Sequence, residues 1–189
     1  MKTRYIPFCA TVGGSALVIF VLCLWLVIGP APALNYNDTA IRSFVNAHQT
    51  GGLTTFFTHL TLLFNVESTP VIAGIVTIIA LILYGWRAGL QVILTVCTGA
   101  LLNHLIKGWV QRPWPTNEVL MHYAGWSFPS GHSALSVLVL GSLLLLILRS
   151  KWPVKYRHLL ATLLFVLILL IGISRLYVGA HYLSDVVAG

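Results

Sequence analysis

Apolar residues occur along this chain in long unbroken blocks, and the polar residues gather in the gaps between them. This is neither the alternation of a half-buried strand nor the one-sided stripe of a surface helix. Crossing about 30 Å of hydrocarbon takes about 20 residues of helix, with every backbone group bonded inside the segment. Five charge-free blocks reach or approach that length: Phe8–Ile28, Ser68–Tyr84, Ala88–Ile106, Ser133–Leu148 and His158–Ser174. The last two are short and are expected to use flanking polar residues at the interface. Between Pro30 and Asn65 the pattern changes, because Asn46, His48, Gln49, Gly51, Gly52 and several threonines interrupt the apolar content. That stretch reads as extramembrane, with interfacial helices over Thr39–Ala47 and Leu53–Phe64. Val186-Val187-Ala188-Gly189 carries a helical pattern to the last residue, which predicts a sixth span beginning near Tyr182 in a longer, truncated chain. The expected fold is all-α: a polytopic transmembrane bundle in one domain over residues 1–189.

Composition narrows the class further. Of 189 residues, 58% are hydrophobic and 8% charged, against about 25% charged in an average soluble domain. A water-soluble globule, a disordered tail and a collagen-like fibre are excluded. Cys9, Cys23 and Cys97 lie in apolar blocks without C-x-x-C spacing, so they read as small packing residues and neither a metal site nor a disulfide framework is expected. Lys2 and Arg4 ahead of the first block, with Ala31-Pro32-Ala33 behind it, imitate a signal peptide. The apolar core is longer than the usual 7–15 residues of such a leader, so a retained helix is expected.

The net charge of +7 comes from 11 Lys and Arg scattered between the blocks. No nucleic-acid face is expected from that scatter; the basic residues instead report orientation. Alternating the spans puts Lys2, Arg4, Arg87, Arg149, Lys151, Lys155 and Arg157 on one side and Arg42, Lys107, Arg112 and Arg175 on the other, together with Asp38, Glu67, Glu118 and Asp185. The positive-inside rule then predicts a cytoplasmic N-terminus in the inner membrane.

The outer side carries the chemistry, in three clusters: Lys107-Gly-Trp-Val-Gln-Arg112-Pro113-Trp114-Pro115, Pro129-Ser130-Gly131-His132, and Ser174-Arg175 through His181 to Asp185. Ser130 can cap a helix start and Gly131 lets a ligand approach the backbone, whose free N–H groups and dipole favour an anion. Lys107, Arg112 and Arg175 supply positive charge for phosphoryl oxygens without a metal or other cofactor. His181 and Asp185 are four apart, on one face if helical, so the carboxylate can hold the imidazole in the tautomer whose other nitrogen attacks. His132 can protonate the departing oxygen, with His122 and Tyr123 of the same loop as the next candidates. Taken singly, Lys107 and Arg112 are interfacial anchors, Ser130-Gly131 a helix start, and His104 beside Asn103 a buried polar contact. Together they are hard to dismiss: Pro-Ser-Gly-His alone is expected by chance in on the order of one in a thousand chains of this length.

From about Leu53 onward the chain resembles the type 2 phosphatidic acid phosphatase superfamily in its membrane-bound lipid phosphatase branch. The family pattern is K-x-x-x-x-x-x-R-P, then P-S-G-H, then S-R-x-x-x-x-x-H-x-x-x-D. The second and third blocks match at Pro129–His132 and Ser174–Asp185, while the first meets Trp114-Pro115 where Arg-Pro is expected and has Arg112-Pro113 two positions early. The resemblance implies His181 as nucleophile, Asp185 as its orienting group and His132 as general acid, with Lys107, the Ser130–Gly131 backbone and Arg175 on the phosphate. It also implies a lipid phosphate partner within the bilayer: undecaprenyl pyrophosphate, phosphatidylglycerol phosphate or phosphatidic acid. A lipid phosphotransferase using the same site and a catalytically impaired lipid-binding protein are the alternatives. A vanadate haloperoxidase shares the site pattern, but the five spans argue against it.

Overall fold

The structure, a computed structural model, describes residues 5–65, 67–116, 119–121 and 125–189, and only the backbone course of 5–9. Lys2, Arg4, Glu118, His122 and Tyr123 therefore lie outside the described residues, as does the side chain of Cys9. Every regular element among those described is helical. In chain order they are α1 Tyr5–Ile28, α2 Pro32–Ala47, α3 Gly51–Thr61 with a 3-10 turn over Leu62–Phe64, α4 Ser68–Tyr84, α5 Trp86–Val110, α6 Gly131–Arg149, α7 Val154–Tyr177 and α8 Leu183–Ala188.

The chain is a transmembrane helix bundle. Ala10–Ile28 within α1, α5, α6 and α7 are each long and apolar enough to cross a membrane. The 17 residues of α4 join them only as a pair with α3 and its 3-10 turn, bent by 60°, so the described residues hold four to five candidate spans. Two blocks expected to be short prove to be full helices of 19 and 24 residues. Counting from charge to charge had clipped them: Arg149 lies in the last turn of α6, Lys155 and Arg157 in α7 near its start, and Arg175 in its last turn. Long basic side chains at helix ends reach the interface while the backbone stays helical.

Local chemistry explains the breaks. Asn65 Oδ1 accepts the N–H of Ser68 at 2.8 Å and of Glu67 at 3.1 Å, satisfying donors at the start of α4. Gly85 adopts φ +85 between α4 and α5, a conformation that favours glycine, and reverses the chain there. α2 begins earlier than expected because Pro32 occupies its first turn, where a missing N–H costs nothing and φ is already set.

α4, α5, α6 and α7 pack in succession, α3 lies on α7, α2 touches α7 and α8, and α1 meets α8. Val76 and Ala80 of α4, Val92 of α5, Val139, Leu140 and Leu146 of α6, and Ile171 of α7 form the buried core, closed by Phe64. A Cβ on Gly99 would run into Leu138 Cδ1, so α5 and α6 approach closely at that point. Outward faces carry Leu17, Leu22, Ile82, Leu101 and Leu163 exposed, as a bundle solvated by lipid requires. His104 is among the exposed residues of α5, contrary to the expected buried contact; the helix turns it away from the core. The three motif clusters lie at one end of the bundle, at the ends of α5 and α7 and the starts of α6 and α8.

Candidate active site

α5 ends one turn after Lys107, at Gln111 in the left-handed conformation, φ 51, which swings Arg112-Pro113-Trp114 across the end of the bundle. The returning strand of loop is sewn to it: Ser127 N–H donates to Arg112 O at 2.9 Å, Ser127 Oγ to Pro113 O at 3.1 Å, and Trp114 Nε1 to Gly125 O at 2.6 Å. Lys107 Nζ donates to the carbonyls of Trp126 at 2.6 Å and Ser127 at 3.2 Å, so the lysine also fixes the approach to Ser130.

Ser130 caps α6, its Oγ accepting from Ser133 N–H at 3.4 Å. The Ser130 N–H donates to Asp185 O at 2.9 Å and is thereby used in joining α6 to α8. The N–H groups of the first turn of α6 have no intrahelical carbonyl within reach, and a helix start of this kind favours an anion. His132 sits in that same turn.

Arg175 is fully buried in the last turn of α7, and its Nη1 donates to Thr61 Oγ1 at the end of α3. Beyond it Gly179 takes φ +70, and the N–H groups of Ala180 and His181 both return to Arg175 O, at 3.1 and 3.3 Å. This helix-stop turn delivers His181 beside Arg175. His181 Nδ1 faces Asp185 Oδ2 at 3.4 Å, and that oxygen also accepts Tyr182 N–H at 3.1 Å. With Nδ1 directed at the carboxylate, Nε2 is the nitrogen able to attack. The Trp114 ring lies against the imidazole, centroids 4.8 Å apart, and Lys107 Nζ is 5.3 Å from the centre of the same indole. Burial, together with the nearby cations Arg175 and Lys107, pulls the His181 pKa from 6.5 down to about 4 against the opposing pull of Asp185.

These groups meet at the head of a cavity of about 770 Å3. Lys107, Gly131, His132, Arg175, His181 and Trp114 line the head, and Thr69, Pro70, Ala73, Gly74, Thr77 and Ile78 carry it down α4 opposite Ile93, Val96, Cys97 and Ala100 of α5. From Thr69 to Ile78 an α-helix rises about 14 Å, roughly half the hydrocarbon thickness.

Arg112, expected on the phosphate, is placed elsewhere. It does not line the cavity; its guanidinium is held by Asp38, Ser184 and Asp185. Burial works against its charge, but Asp185 and Asp38 more than compensate and raise its pKa. Trp114 lines the cavity at the position where the resembled family pattern has Arg. Introducing one by Trp114→Arg is expected to raise kcat/KM about tenfold or more, since a lost donor to a developing charge costs about 10²–10³; an unchanged value would mean that nothing is missing at that position.

Sequence reasoning passed over Asp38, Thr61 and Ser184. The charge pattern marks Asp38 only as an outer-side acid. One signal was available for it: the chain has only four acidic residues, and an acid so rare in so apolar a sequence is costly unless it has a partner.

Fold and site together define a membrane-embedded helical protein with two histidines, a lysine and an arginine at the head of an apolar cavity. The family profile described as the PAP2 superfamily matches residues 88–189, and the chain belongs to that superfamily. Phosphatidylglycerophosphatase B of Bacillus subtilis (strain 168) is 33% identical over 102 residues, 53% of this chain and 50% of that protein; the chain thus spans about half the length of this curated relative. The crystal structure of the first transmembrane PAP2 type phosphatidylglycerolphosphate phosphatase from Bacillus subtilis superposes with a TM-score of 0.82 at 26% identity, covering 92% of this chain and 87% of that one. Aquifex aeolicus LpxE shares the fold, with a TM-score of 0.60 at 24% identity over 80% of this chain and 86% of its own.

Proposed function

We propose that this chain hydrolyses a lipid phosphate or pyrophosphate in two steps through a phosphohistidine, at the outer face of the inner membrane and without a metal. One observation carries the reading: His181 with Asp185, His132, Lys107 and Arg175 converge at the head of an apolar cavity that runs down α4 and α5. A phosphate seated on the first-turn N–H groups of α6, between Lys107 and Arg175, would leave its lipid tail in that cavity.

In the first step His181 Nε2 attacks phosphorus, the P–O bond to the lipid breaks, and the leaving oxygen takes the proton of His132. The carboxylate of Asp185 holds the Nδ1 proton while positive charge grows on the ring. In the second step water attacks phosphorus, gives its proton to His132, and the P–N electron pair returns to His181. The named relatives favour a glycerophospholipid such as phosphatidylglycerol phosphate among the three substrate candidates. The basic residues Arg87, Arg149, Lys155 and Arg157 fall at the opposite end of the bundle, which supports a cytoplasmic N-terminus and an outward-facing site.

The test is phosphate release by the full-length protein in detergent from phosphatidylglycerol phosphate, phosphatidic acid and undecaprenyl pyrophosphate, with EDTA present. Release from at least one of them, undiminished by EDTA, is expected. Activity that vanishes in EDTA and returns with Mg²⁺ would overturn the metal-free mechanism. Transfer to an added lipid acceptor in place of water would make the chain a phosphotransferase, and binding without release a lipid-binding protein.

The depressed pKa of His181 has a checkable sign. Between pH 6.5 and 4 the unfolded chain takes up a proton at this residue that the folded chain refuses, so its contribution to stability is present above about pH 6.5 and is lost as pH falls towards 4. A ¹⁵N-histidine NMR titration, with His181 assigned from its Asn variant, is expected to show a midpoint near 4; a midpoint near 6.5 would contradict the buried, neutral nucleophile.

A further inference from the structure

Behind the His181–Asp185 pair lies a second layer that the phosphoryl chemistry above does not use. Arg112 Nη1 donates to Asp185 Oδ1 at 2.6 Å and to Ser184 Oγ at 2.7 Å, while its Nη2 donates to Asp38 Oδ2 at 2.9 Å. Ser184 gives its hydroxyl proton to Asp38 Oδ2 at 2.6 Å and its backbone N–H to Asp38 Oδ1 at 3.1 Å. The Tyr182 ring lies 4.1 Å from the guanidinium carbon. Asp38 is 3% exposed and Asp185 0%, so two buried carboxylates share one guanidinium.

Stability alone does not call for this arrangement. Buried ion pairs are often replaced by apolar side chains with no loss, because desolvation cancels the attraction. A second carboxylate on the same cation makes the balance worse. For the reaction it makes sense. Arg112 by itself would fix the Asp185 carboxylate but would also draw its charge away from His181. Asp38, on the far side of the guanidinium, takes up part of the arginine's charge and leaves Asp185 negative enough to hold the Nδ1 proton.

We propose that Asp38 of α2 and Arg112 are positioning residues for the nucleophile, Asp38 holding Arg112 and Arg112 holding Asp185 against His181, so that a helix outside the α4–α7 bundle takes part in setting the catalytic geometry. The neighbouring contacts run the same way. Arg42 of α2 donates to Gly179 O at 3.3 Å, and Gln49, just beyond α2, to Tyr177 O at 3.1 Å, so both clasp the turn that presents His181.

The inference rests on the phosphatase reading, so the wild-type protein is first shown to release phosphate; failure there removes that reading and not this geometry. With the best lipid phosphate from the panel, Asp38→Asn is expected to lower kcat about tenfold or more while KM stays within about twofold, as a misplacement of the order of an ångström does. Arg112→Gln, which leaves two buried carboxylates facing each other, is expected to be worse than the double variant Asp38→Asn/Arg112→Gln, where both charges are gone. A kcat unchanged in Asp38→Asn, with only the melting temperature lowered, would reduce the layer to structure and overturn the proposal. A changed KM at constant kcat would overturn it as well, by showing that Arg112, once released, serves the phosphate. If Asp38→Asn does not fold, Ser184→Ala removes the hydroxyl between Asp38 and Arg112 without altering charge, and the same split between kcat and KM decides.

Discussion

Replacing His181 by Ala is expected to abolish turnover while a lipid phosphate still binds with an affinity close to that of the wild type. In the proposed reaction the nucleophile and the anion cradle come from different segments: His181 follows the turn after α7, whereas Lys107 at the end of α5, the first turn of α6 and Arg175 in α7 are the proposed donors to the phosphate. Removing the imidazole deletes the atom that forms the covalent intermediate and leaves the cradle in place. A drop in kcat of about 10⁴ or more is the scale seen when a member of a nucleophilic constellation is removed. Single-turnover kinetics together with equilibrium binding of a fluorescent lipid phosphate measure both halves. Hydrolysis within a factor of ten of the wild type would take His181 out of its role.

The second large effect separates substrates through His132. Cleaving a lipid monophosphate expels an alkoxide, whose basicity makes protonation essential. A lipid pyrophosphate expels a phosphate monoester, which departs with little help. General acid catalysis is worth about 10²–10⁴ where it is needed. His132→Ala is therefore expected to cut kcat/KM on phosphatidic acid by about that factor, and on undecaprenyl pyrophosphate far less, wherever chemistry limits both rates. Equal losses on the two would show that His132 positions the phosphate or the nucleophile, and would pass the acid's role to His122 or Tyr123.

The legible parts of this molecule were those set by solvent and by short-range spacing. Charge-free blocks marked the helices because lipid permits no unpaired backbone, and α4 kept its expected bounds because Asn65 and Gly85 punctuate it in the sequence itself. The pairing of His181 with Asp185 was readable from their spacing of four, but no helical turn relates them: α8 starts at Leu183, Tyr182 before it is extended, and the contact is made across the start of that helix. Arg112 and Asp38 were not readable in that way. The bonds that use them join α2 to the α5–α6 loop and to α8, and nothing in the local pattern of Arg112 distinguishes a cation aimed at substrate from one bound to Asp185 and Asp38. The helix ends were misjudged for a related reason: Arg149 and Arg175 look like stop signals in a hydropathy pattern, yet the backbone carries on through them.

Two displacements through His181 have a stereochemical consequence that a single attack by water does not share. Each in-line step inverts phosphorus, so two restore the original configuration. The measurement is hydrolysis of a lipid phosphorothioate made chiral with ¹⁸O, carried out in ¹⁷O-water, with the configuration of the released thiophosphate determined. Retention is predicted; inversion would mean that water attacks the lipid phosphate directly and that no phosphohistidine forms.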